Sequence, residues 1–217
     1  MRVLGLDPSL RQFGWAVYNS ETKSCECKGR FKTSSKDLFV DRYVQLREDL
    51  RLLVQQTKPN YIGIEYPVFR SLYSEGMYGL FLYSCEALKS EFCDVVFFSP
   101  LQVKAHARNH LQRPKGWSMD KADMVEAVKL HSGDKTRWNH NEADAYWVAY
   151  AAYRFWELYE SGWDEEKLSL NEVEQSQFLN IKKYVRGKKK GKVEKKGIAF
   201  REDDRFFLWS KLNGEEK

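Results

Sequence analysis

No apolar run in this chain of 217 residues is long enough to cross a bilayer, which excludes a membrane-spanning helix. Cysteine is scarce. The four present, Cys25, Cys27, Cys85 and Cys93, show no paired CxxC spacing; Cys25 and Cys27 would share one face of a strand, which leaves a disulfide or zinc site open, but a reduced, structural role is the better reading. A secretory signal is also missing, because Met1-Arg2-Val3-Leu4-Gly5-Leu6-Asp7 offers no basic, apolar and small-residue succession. The expectation is a cytoplasmic protein, or one in the host cytoplasm if the source is a virus. There is no internal repeat. What the chain does have is 42% hydrophobic and 15% aromatic residues, the composition of a packed globular domain.

The length suits one domain with an added segment better than two domains. We divide it into a core at 1–160 and an extension at 161–217. Charge follows the same division. The net +5 belongs to the segment 182–197, where Lys182, Lys183, Arg186, Lys188, Lys189, Lys190, Lys192, Lys195 and Lys196 face only Glu194, and the rest of the chain is slightly acidic. Such a run is either a solvated tail or an arm that binds phosphates through counterion release, with Lys188, Lys189 and Lys190 at its centre.

Residues 2–7 form a short apolar run ending in an acid and the Pro8-Ser9 turn, which predicts a buried strand. Strands at 13–18 and 24–32 follow, so the chain opens as three consecutive antiparallel strands. Between 36 and 57 the apolar positions Leu38, Phe39, Tyr43, Leu46, Leu50, Leu53 and Val54 recur at helical spacing. The segment 61–65 is again a buried strand ending in an acid, the stretch to Leu88 is helical, and 95–98 is a strand. Residues 101–159 are largely helical, with a loop around Arg113-Pro114-Lys115-Gly116. Alternating strands and helices predict an α/β sheet with helices on its faces. Beyond Trp163 no period is evident, although Phe206, Phe207, Leu208 and Trp209 suggest a docked end.

Three acids lie where buried elements end or begin: Asp7, Glu65 and Asp144. Asp144 opens a helix whose next turns are apolar, and a carboxylate on the inner side of such a helix needs a partner. For three carboxylates in one place a hard divalent cation serves best, and two cations can clamp the attacking and leaving oxygens of a phosphodiester. Each acid also has a plain structural reading. Asp7-Pro8-Ser9 can be a turn, Glu65 a charge at a sheet edge, and Asn141-x-x-Asp144 a capping box with Asn141 as N-cap.

Taken together, the motifs resemble the RuvC family of Holliday-junction resolvases, within the ribonuclease-H-like superfamily. The resemblance rests on Val3-Leu4-Gly5-Leu6-Asp7-Pro8-Ser9 with Phe13-Gly14-Trp15-Ala16, on Ile62-Gly63-Ile64-Glu65, on Ser99-Pro100-Leu101-Gln102-Val103-Lys104, on Met119-Asp120-Lys121-Ala122-Asp123-Met124-Val125 and on Glu142-Ala143-Asp144-Ala145, in family order. It implies a five-stranded mixed sheet of ribonuclease H type flanked by helices, a homodimer, and paired nicks in four-way or related branched DNA with Mg²⁺ or Mn²⁺, two ions per site. Asp7, Glu65 and Asp144 would be metal ligands, Lys104 and Lys121 active-site or DNA-backbone lysines, and Phe69 an aromatic wedge at the junction centre. Lys104 and Lys121 could equally be solvated and Phe69 a core residue. The family's fourth ligand position holds Asn141, with Glu142 and His140 as alternatives within one turn. Actin-like ATPases and sugar kinases also open on a strand and an Asp, but need phosphate loops and a second domain that this sequence lacks. A non-catalytic ribonuclease-H-fold protein that binds branched nucleic acid is the other reading.

Overall fold

A computed structural model of the chain describes residues 1–66, 74–91, 94–114, 116–179, 181–183, 188, 190–195 and 206–207. The chain opens on an antiparallel meander of β1 (Arg2–Asp7), β2 (Gln12–Asn19) and β3 (Ser24–Lys32). The helix α1 (Phe39–Thr57) crosses over to β4 (Tyr61–Glu65), parallel to β1, and α2 (Ser74–Ser90) leads to β5 (Val95–Phe98), parallel to β4. Then come α3 (Pro100–His110), α4 (Lys121–Ser132) and the long α5 (His140–Glu160). The chain continues through two short helices, α6 (Glu165–Leu168) and α7 (Glu172–Phe178), a two-stranded ribbon of β6 (Ile181–Lys183) and β7 (Val193–Lys195), and β8 (Phe206–Phe207). The sheet runs β3-β2-β1-β4-β5 as expected, with the two-residue β8 added beside β5. Cys25, Cys27 and Cys85 are free thiols.

Alternation along the strands assigns every side chain to one of two layers. Leu4, Leu6, Ile62, Ile64, Val95 and Phe97 enter the core under α1 and α2, where Leu46, Leu50, Leu53 and Leu80 meet them. Val3, Val96 and Phe98 enter the core under α3, α4 and α5. By the same period Gly5 and Asp7 on β1, and Gly63 and Glu65 on β4, belong to the α5 layer.

The glycines explain why α5 lies so low on the sheet. A Cβ on Gly5 would stand 2.0 Å from the Ala145 carbonyl oxygen, one on Gly14 2.2 Å from the Asn141 carbonyl oxygen, and one on Gly63 2.7 Å from the Ala152 methyl. Only glycine lets the helix backbone approach so closely. Gly5 pairs with Gly63 across β1 and β4, so the two form a lane under the small residues Ala145, Ala149 and Ala152. This contact fixes the height and the register of α5, and with it the place of Asp144.

The extension is not separate from this body. Phe178 is fully buried, Leu170 and Leu179 nearly so, and they join the α5 core. Two polar links add to them: Arg154 of α5 forks onto Glu174 at 2.7 and 3.2 Å, and Gln177 bonds both His106 and the Gln102 carbonyl of α3.

Candidate active site

Asp7 and Glu65 each end a strand, and β1 and β4 are parallel neighbours in register through Leu6 and Ile64. Both therefore leave the sheet at the same edge and on the α5 side. The first turn of α5 sits over that edge, because Asn141 rests on Gly14, the partner of Asp7 across β1 and β2, and Ala145 rests on Gly5. Asp144 lies between those two contacts. The structure thus brings the three acids to the same end of the sheet, within electrostatic reach of one another, from three separate elements.

Their electrostatics record the convergence. Burial, then Glu65, then Asp144 hold the Asp7 carboxyl well above the usual carboxylate range. Burial and Asp144 push Glu65 up to about 8, against the pull of Lys104. Burial raises Asp144 to about 6, opposed by Lys104 and Lys121. As whole residues all three keep some exposure, so solvent reaches the rim of the group. The Oδ1 of Asp144 is nevertheless shielded and accepts no hydrogen bond among the described residues. An ionised oxygen in that position calls for a cation. Among the described residues no three His, Cys, Asp or Glu side chains stand close enough, as placed, to enclose a metal ion. The donor set of mutually repelling carboxylates, one with an unpartnered oxygen, fits a hard divalent cation in charge and chemistry.

The start of α5 departs from the capping arrangement considered above. The N-cap is Asn139, two residues earlier than Asn141, and the capping box closes through Glu142, whose Oε2 accepts from the Asn139 N–H at 3.0 Å. The other oxygen of Glu142 accepts from Arg30 Nε at 3.0 Å, and Arg30 also donates to Gln12 Oε1 at 2.6 Å. Both carboxylate oxygens of Glu142 are thereby engaged. Asn141 shares the helix face of Asp144, three residues on, and donates through Nδ2 to the Gln12 carbonyl. His140 Nε2 lies 3.4 Å from Lys121 Nζ, and burial together with Lys121 and Arg30 lowers its basicity.

Lys104 and Lys121 come from different helices to the same carboxylates. Lys104 is on α3, whose start is set by Pro100 and the Ser99 capping box, and it acts on Glu65 and Asp144. Lys121 is the first residue of α4, after the Asp120 cap, and acts on Asp144. Phe69 and Lys189 lie outside the described residues. Lys188 and Lys190 are exposed in the turn between β6 and β7, away from the carboxylates in sequence and in element. Arg30 is the participant that the sequence reading passed over. Nothing marks it in sequence, because its role depends on β3 pairing with β2 and on the start of α5.

With this geometry in view, the chain compares as follows. It is 29% identical over 158 residues to the crossover junction endodeoxyribonuclease RuvC of Rickettsia conorii, an alignment that covers 69% of this chain and 95% of that protein. Among solved structures, Thermus thermophilus RuvC in complex with a Holliday junction substrate superposes with a TM-score of 0.57 at 19% identity, over 69% of this chain and 90% of that one. The yeast mitochondrial Holliday junction resolvase Ydc2 gives a TM-score of 0.54 at 14% identity, over 77% of this chain and 86% of that one. No protein-family model matches the chain. In sequence the chain is similar to RuvC resolvases, and its mixed five-stranded sheet flanked by helices is their ribonuclease-H-like fold.

Proposed function

We propose that this chain is a RuvC-type crossover-junction endodeoxyribonuclease, which hydrolyses phosphodiesters in four-way or related branched DNA with the help of divalent cations. The observation that carries this reading is the convergence of Asp7, Glu65 and Asp144, with ionisation held back by burial and a shielded, unpartnered oxygen, at one end of the sheet. These three would hold Mg²⁺ or Mn²⁺, two ions per site, with Asn141 as the fourth ligand by register and Glu142 or His140 as alternatives. Bound there, the cations supply the charge that activates water and stabilises the leaving oxygen.

The chain's own residues do the rest. Lys104 and Lys121 offset part of the negative charge at the carboxylates and offer ammonium groups to the phosphate that approaches them. Arg30 and the Asn139 cap hold Glu142, and so hold the first turn of α5 and the orientation of Asp144. Phe69, four residues after Glu65 in the sequence, would be the aromatic wedge at the branch. The unit at 1–160 is the nuclease domain and 161–217 its extension.

Paired nicks across a junction of approximate two-fold symmetry require two equivalent sites, so the active species is a homodimer. An apolar surface on α1 and α2 supports this. Phe39, Tyr43 and Tyr83 follow one another at ring distances of 6.3 and 5.3 Å, and Val40, Val44 and Leu82 lie exposed on the same two helices.

The test is cleavage by the purified protein with Mg²⁺ of matched four-way junction, flap, duplex and single-stranded DNA. Paired nicks in the junction, lost in EDTA, are expected. Wild-type protein that is folded and cuts none of the four, or a folded Asp7→Asn variant that cuts at nearly the original rate, would refute the assignment.

A further inference from the structure

The segment 182–197 holds nine of the protein's 36 lysines and arginines against a single acid, a local excess larger than the net charge of +5, and its described backbone is paired rather than a free tail. β6 and β7 pair antiparallel, Ile181 with Lys195, Lys182 with Glu194 and Lys183 with Val193. Between them lies a nine-residue connection, 184–192, with five basic residues and no acid; within it Lys188, Lys190 and Lys192 are exposed. A two-stranded ribbon with a cationic tip has the dimensions to follow a DNA groove or backbone.

What gives this ribbon a definite place is the bracket before it. Glu174 of α7 is almost wholly buried and takes both of its oxygens to Arg154 of α5. Arg154 also donates to the Leu168 carbonyl, which ties down the end of α6. Gln177 donates through Nε2 to the Gln102 carbonyl at 3.1 Å, so its Oε1 faces the imidazole of His106 at 3.0 Å and accepts from Nε2–H. Phe178 stacks on His106 at 5.8 Å and meets Phe155 edge-on. The last turn of α7 is thus fastened to the part of α3, Gln102 to His106, that contains Lys104. β6 begins three residues after Phe178. The ribbon therefore starts beside the helix that delivers Lys104 to the carboxylates.

From this juxtaposition we infer that residues 164–179 are a bracket that roots the β6–β7 ribbon next to the active site, and that Lys188, Lys190 and Lys192 bind the phosphate backbone of a duplex arm at a fixed distance from the scissile bond. This deepens the nuclease reading, on which the position of the scissile bond rests. Phosphate binding itself does not depend on cleavage.

Two full-length variants test it, with binding measured in the absence of divalent cations. Replacing Lys188, Lys190 and Lys192 together by Ser should weaken junction binding roughly 10- to 100-fold near 0.1 M salt and lower the slope of log affinity against log salt by about 2 to 3. Inserting a flexible Gly-Ser linker of about six residues after Leu179 keeps every charge but loosens the root. It should leave the salt slope near the wild-type value, lower affinity roughly tenfold, and blur a patch of hydroxyl-radical protection that wild type places at one distance from the branch. An unchanged salt slope in the triple variant would overturn the phosphate-binding arm. An unchanged footprint and affinity in the linker variant would overturn the bracket and leave a free tail. Failure of the nuclease reading looks different: wild type then cuts no DNA with Mg²⁺, whatever these slopes show.

Discussion

Replacing Asp144 by Asn should make the protein more stable at pH 8 when divalent cations are removed. Burial pushes the Asp144 pKa up to about 6 from an ordinary value of 3.8, and Lys104 and Lys121 offset only part of that cost. The folded pKa lies above the unfolded one, so ionisation costs stability. The cost is absent below about pH 4, grows as pH rises from about 4 to 6 and is constant above. Two units correspond to about 3 kcal/mol, and the amide, which has polar atoms of its own to bury, trims the gain to about 1–2 kcal/mol. For a domain of this size that is a rise in Tm of roughly 2–8 °C. Thermal melts in EDTA between pH 4 and pH 8 read it directly. Mg²⁺ should then raise the Tm of wild type by binding the folded form, and raise that of the variant less. A variant that is equal to or below wild type at pH 8 in EDTA, or a gain that persists unchanged at pH 4, would refute the account of an uncompensated carboxylate.

Asp7→Asn, Glu65→Gln and Asp144→Asn should each abolish junction cutting in a gel assay while a mobility shift shows binding retained, since phosphate contacts by lysines survive the loss of ligands. Light scattering should give twice the chain mass, and a protein that stays monomeric on the junction would remove the paired-nick mechanism. Gly5→Ala should cost at least about 3 kcal/mol in urea unfolding, because the added methyl meets backbone atoms of α5 that have no side-chain freedom to yield. Asn141→Asp should lower the Mg²⁺ concentration needed for half-maximal cutting; if it does not, and Glu142→Gln abolishes cutting, Glu142 takes the fourth position.

The strands that carry Asp7 and Glu65 were legible because strands covered on both faces read as apolar runs, and an acid that ends such a run is conspicuous. The start of α5 was not. Asn139-x-x-Glu142 and Asn141-x-x-Asp144 are both capping-box sequences, two residues out of phase. Local chemistry does not choose between them. The choice is made by Arg30, which draws Glu142 into the cap, and by the Gln12 carbonyl, which takes the Asn141 amide. Both partners lie more than a hundred residues away, on strands whose pairing must exist first. Gly5, Gly14 and Gly63 tell a similar story. In sequence they look like weak points in three strands, and only the helix above them explains why no side chain is tolerated.

The extension was the least legible part, and the reason is physical. Its two helices have four and seven residues, one to two turns each, too short for an apolar period to stand out from chance. Their starts are written locally, by Asp164 and Asn171 as caps, but their attachment is written in polar residues. Glu174 and Gln177 would be assigned to the surface on hydrophobicity alone. They are buried because Arg154, His106 and the Gln102 carbonyl satisfy them, and those groups become neighbours only after α3 and α5 have packed on the sheet. A buried Glu–Arg fork without partners would be strongly destabilising, so α7 has one place to sit. Fixing α7 fixes the root of the basic ribbon. A charge run that by composition resembles a solvated tail thereby acquires an origin next to a helix fastened to α3.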